Sequence, residues 1–96
     1  MKRRDPISIK DLIDRVLEDD NVRDKARAQH VCYLWPEVVG PGINRYTTRR
    51  YVNNGILHVH ISSASLKNEL MFNRTRLVQL LNQAVGCEVI TDIQIH

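Results

Sequence analysis

Ninety-six residues, 43% hydrophobic and 26% charged, make one small domain with a single two-layer core. That composition excludes wholesale disorder, a collagen-like repeat and a disulfide-built scaffold. Lys+Arg 14 against Asp+Glu 11 leaves a net charge of +3, which permits an anionic partner without requiring one.

The N-terminal run Met1-Lys2-Arg3-Arg4-Asp5-Pro6 is basic, but no apolar h-region follows it, so it does not read as a signal peptide. Residues 1–7 are expected to be flexible, ahead of one domain over 8–96. Ile9, Leu12, Ile13, Val16 and Leu17 then form one apolar helical stripe, with Ser8 as N-cap and Glu18-Asp19-Asp20-Asn21 as the stop. A second helix is predicted from about Val22 to Trp35 on the stripe Ala28, Val31, Cys32, Trp35. Pro36 should break or kink it, with a short turn over Glu37-Val39 that Gly40-Pro41-Gly42 ends.

Asn54-Gly55 sits between two β-rich runs, Tyr46 to Val52 and Ile56 to Ser62, and predicts a hairpin with a type I′ turn. In the two-residue register Val52, Leu57, Val59 and Ile61 face the core, and Thr47, Arg49, Tyr51, His58 and His60 face away. A bulged three-residue loop would instead turn Arg50 outward. Ser62-Ser63 caps a third helix with apolar positions Leu66, Leu70 and Met71. Leu77, Leu80, Leu81, Ala84 and Val85 mark a fourth, which Gly86 ends. The pattern leaves open whether these are two helices or one bent helix. A last strand is predicted over Glu88 to Ile95, with Val89, Thr91, Ile93 and Ile95 on one face. The order α-α-β-β-α-α-β defines an α+β fold, a two-layer α/β sandwich with one open sheet face.

No GxSxG, P-loop, Rossmann fingerprint or HExxH occurs, so no enzymatic activity and no cofactor are expected. His58-x-His60 presents two imidazoles on one face, but no third ligand accompanies them and no metal is expected. Cys32 and Cys87 form no CxxC pair and read as buried reduced thiols of a cytoplasmic protein. No apolar run approaches the roughly 18 residues of a membrane span, so no membrane partner is expected. The chemistry left is basic and aromatic: Arg45, Tyr46, Arg49, Arg50 and Tyr51 on the first strand, and Lys67, Arg74 and Arg76 on the later helices. Arginines neutralise phosphates and tyrosines stack on unpaired bases, whereas charge on a strand edge also guards against aggregation.

The ordered set Trp35-Pro36-Glu37-Val38-Val39-Gly40, Arg45-Tyr46-Thr47, Asn54-Gly55-Ile56-Leu57-His58-Val59, Ser62-Ser63 and Glu69-Leu70, ending in Leu81-Asn82, Val85-Gly86, Val89-Ile90 and Asp92-Ile93, resembles the DciA-like proteins. The resemblance spans about residues 8 to 96 and is nearest to the short members from Bacteroidetes. It implies a K-homology fold of the second type, α-β-β-α-α-β, preceded by an extra helix. It implies the replicative DNA helicase as partner, which family members load or operate, and weak binding to single- or double-stranded DNA. Where a K-homology domain carries its GxxG loop, this chain reads Phe72-Asn73-Arg74-Thr75, without glycine. The family's tryptophan falls on Trp35, read as core, and its glycine turn on Gly55. Glu69 also matches, either to anchor the third helix on the hairpin or to meet a partner.

Overall fold

The computed structural model describes residues 9, 13 and 20–96. Residues 1–7 and the positions Ser8, Leu12, Val16 and Leu17 of the expected first helix lie outside the described residues. Ile9 and Ile13 are both helical, Ile13 buried and Ile9 exposed.

Helix α1 spans Asp20–Val39 and buries His30, Val31 and Trp35. Asp20 and Asn21, expected to end the preceding helix, instead open this one. A carboxylate in the first turn faces the positive end of the helix dipole, and Asp20 also pairs with Arg23 at 3.2 Å. The break expected at Pro36 does not occur, because the helix continues to Val39. Proline supplies no N–H, so the Cys32 carbonyl one turn earlier loses its intrahelical donor. Arg50 replaces that donor, giving Nε–H to the Cys32 oxygen at 2.7 Å. Gly40, at φ 90°, turns the chain into the four-residue helix α2 (Pro41–Asn44).

Strands β1 (Thr47–Asn53) and β2 (Ile56–Ile61) form the expected hairpin, and Asn54 and Gly55 take φ 53° and 77°, the left-handed pair of a type I′ turn. The register pairs Val52 with Leu57, Tyr51 with His58 and Arg49 with His60. One irregularity, between Thr47 and Arg49, leaves Thr48 as the extra residue and pairs Thr47 with Ile61. Thr47 therefore lies on the helix face, not on the open face where strict alternation puts it. There its hydroxyl accepts from Trp35 Nε1 and donates to the Ile43 carbonyl, both at 3.1 Å.

Helices α3 (Ala64–Phe72) and α4 (Arg74–Val85) are two helices. Ser63 caps α3 by accepting from the Leu66 amide, and Asn73 closes it by donating Nδ2–H to the Glu69 carbonyl at 2.9 Å. Leu70, Leu77, Leu81 and Val85 are buried, whereas Met71 and Ala84, read as core, are exposed. Gly86 ends α4 at φ 97°. Strand β3 is shorter than expected, Asp92–Ile95, and lies parallel to β2, giving the order β1-β2-β3. Before it, Val89 and Ile90 pair with a side chain rather than a strand. Asn82 Oδ1 accepts both amides at 2.9 and 3.1 Å, and Nδ2 donates to the Ile90 carbonyl at 2.8 Å. This local geometry buries Ile90 and exposes Thr91, the reverse of the alternation expected for an extended strand.

The helices pack on one face of the sheet around Trp35, Leu57, Leu81, Ile90 and Ile93, each fully buried. The result is the two-layer α+β architecture. Its order of long helix, hairpin, helix pair and strand is compatible with the type II K-homology arrangement.

Candidate nucleic-acid interface

The alternation of β1 and β2 sends Arg49, Tyr51, His58 and His60 to the face away from the helices. His96, just beyond β3, joins them. Its amide donates to the Val59 carbonyl at 2.8 Å and its carbonyl accepts from the Ile61 amide at 2.9 Å, which fixes it beside His60. The side chains form a continuous ladder. Arg49 places its guanidinium 4.9 Å from the Tyr51 ring centre. Tyr51 stacks on His58 at 4.8 Å, His58 on His96 at 5.3 Å and His96 on His60 at 4.7 Å. His58 Nδ1 and His96 Nε2 approach to 3.1 Å, so one of the two nitrogens donates and the other keeps its lone pair.

His60 is the electrostatic centre of this face. Burial first, then the neighbouring His96, Arg49, His58 and Lys67, hold its imidazole below the usual range. Lys67, on α3, is near enough for its charge to be felt at His60. Among the described residues no group of His, Cys, Asp or Glu is arranged to hold a metal ion, and the three imidazoles stack rather than converge on one point.

The other residues singled out from the sequence lie elsewhere. Arg50 points to the helix face and holds the Cys32 carbonyl. Burial pushes the Cys32 thiol up, and the Arg50 charge opposes that shift. Arg45 caps the end of α2 and Tyr46 follows it in the turn before β1, not on the strand expected from the sequence, and both are exposed. Arg74 pairs with Asp92 at 3.1 Å, and Arg76 and Glu69 are exposed at the α3–α4 junction. Trp35 is fully buried, and Gly55 accepts from the Thr91 amide at 2.7 Å, tying the turn to the approach to β3. Sequence reasoning missed His96 and Phe72. Phe72 is 90% exposed at the position of the absent GxxG loop, beside an exposed Met71.

A sheet covered by helices on one face, with cations and rings gathered on the other, defines a small two-layer α+β domain. The chain belongs to the DciA family, whose model, described as Dna[CI] antecedent, DciA, matches residues 8–95. Membership ties the chain to DNA replication and to the loading of the replicative helicase. No curated protein is similar enough to count as a match. Among the described residues no helix is long and apolar enough to cross a membrane.

Proposed function

We propose that this chain is a non-catalytic accessory of the replicative helicase that binds nucleic acid on the open face of its sheet, in the cytoplasm. The observation that supports this best is the Arg49 guanidinium over the Tyr51 ring, beside His60 and within reach of the Lys67 charge. Arg45 and Tyr46, exposed in the turn before β1, add a cation and a ring next to this strand. Arg74 and Arg76 form a second basic edge on the helix side, where Asp92 already engages Arg74. Without a GxxG loop the backbone does not clamp a strand, so binding rests on phosphate neutralisation and is weak and tolerant of sequence.

The test is a salt titration of binding to a labelled single-stranded oligonucleotide. Each neutralised phosphate contributes about −0.7 to the logarithmic salt slope. Replacing Arg45 and Arg49 together by alanine should flatten the slope by about 1.4 on that scale. Arg50 stays in place because it supports α1. A variant that binds like its parent at every salt concentration removes these arginines from the site.

A second reading, a protein-interaction module without nucleic-acid binding, is favoured by Met71 and Phe72, 53% and 90% exposed at the α3–α4 junction. It takes over if the parent binds no oligonucleotide at low salt while Phe72→Ala abolishes capture of the replicative helicase.

A further inference from the structure

We propose that His58, His60 and His96 are phosphate-binding residues, and that the open sheet face holds a nucleic-acid backbone through the protonated edges of these rings. The inference rests on the nucleic-acid reading above and names the groups and the charge state that it needs.

The geometry separates phosphate binding from base stacking. The three imidazoles stack on one another at 4.7 and 5.3 Å with interplanar angles of 22° and 15°, and Tyr51 lies on His58 at 4.8 Å and 9°. Ring faces turned toward each other are closed to an incoming base. What remains for a ligand is the ring edges, through His58 Nε2 and His96 Nδ1, the nitrogens outside the His58–His96 contact, and through His60 Nδ1 rather than its buried Nε2. A protonated imidazole has two N–H donors and no acceptor, and its hydrogen bonds to phosphate oxygens are charge-assisted.

The surroundings make this face dependent on its ligand. The charged and titratable groups around His60 are Arg49 and Tyr51 from β1, His58 on its own strand, His96 after β3, and Lys67 from α3. The cations among them repel a proton on His60, and its Nε2 is buried with no hydrogen-bond partner. A phosphate chain laid across the face reverses that repulsion. A protonated His60 then meets the phosphate as a cation. Binding the anion therefore takes up protons, and affinity rises as pH falls through the imidazole range.

The test uses a labelled oligothymidylate, with affinity measured at constant ionic strength at about pH 7.5 and about pH 5.5, either side of the ordinary imidazole value near 6.5. The parent should bind on the order of tenfold more tightly at the lower pH, as expected for uptake of about half a proton averaged over those two pH units. The variant carrying H58Q, H60Q and H96Q should lose most of that gain, so that its affinities at the two pH values converge. An imidazole titration by NMR on the unaltered chain should show the His60 value rising when the oligonucleotide is added. Equal parent affinity at both pH values, a gain retained by the triple variant, or an unmoved His60 titration would each overturn the proposal while leaving nucleic-acid binding intact. No binding at either pH overturns both.

Discussion

Arg49 and Arg50 are neighbours in the chain and have opposite environments. Arg49 lies over Tyr51 on the open face, whereas Arg50 reaches the Cys32 carbonyl that Pro36 leaves without an intrahelical donor. Nothing local separates the two arginines, because their faces follow from the hairpin register and the need of Arg50 follows from a proline 14 residues earlier in the chain. The pairing is testable as a cycle. Arg50→Ala strands a half-buried carbonyl and should cost about 1–3 kcal/mol. Pro36→Ala supplies an N–H to the same carbonyl, so Arg50→Ala should cost less in that background, with a coupling of about 1 kcal/mol. Urea unfolding of the four proteins measures this. Simple additivity would show that the Arg50 contact does not compensate for the proline.

At the scale of elements, the sequence is most legible where periodicity and turn chemistry agree. The hairpin follows from Leu57, Val59 and Ile61 alternating after Asn54-Gly55, and both turn residues adopt positive φ. The Leu77, Leu81, Val85 stripe ended by Gly86 is equally plain. The differences arise where a distant side chain overrides the local signal. Arg50 carries α1 through Pro36, and the bulge at Thr48 delivers Thr47 to Trp35. Asn82 occupies the backbone of Val89 and Ile90, which would otherwise begin β3. Asn82→Ala removes three hydrogen bonds from partly buried backbone groups and should cost about 2–4 kcal/mol. Asn82→Asp keeps an acceptor for the two amides and loses only the donor, so it should cost less. Equal unfolding midpoints for the two variants would remove the acceptor from the explanation.

Over the whole molecule, most of the candidate site was visible in the sequence. His58-x-His60 opposite Arg49 and Tyr51 follows from period two, but the place of His96 depends on the parallel pairing of β3 with β2, a long-range choice with no local signature. The same imidazoles govern stability in a calculable direction. Burial holds His30 and His60 below the usual imidazole range, and a ring nitrogen of each is buried without a hydrogen-bond partner. As pH falls, the unfolded chain protonates these rings first, near 6.5, while the folded chain still resists. Stability rises with pH wherever the unfolded state binds more protons. The contribution of these two residues is therefore fully present above about pH 6.5 and is lost as pH falls toward their folded values. The thermal midpoint should drop between about pH 7.5 and about pH 5.5, above the ordinary titration range of carboxylates. His30→Leu should remove part of that drop, leaving the share of His60. An oligonucleotide bound to the open face favours the protonated His60 and should narrow what remains. A midpoint that is flat across this interval in the parent would show that neither ring resists protonation in the fold.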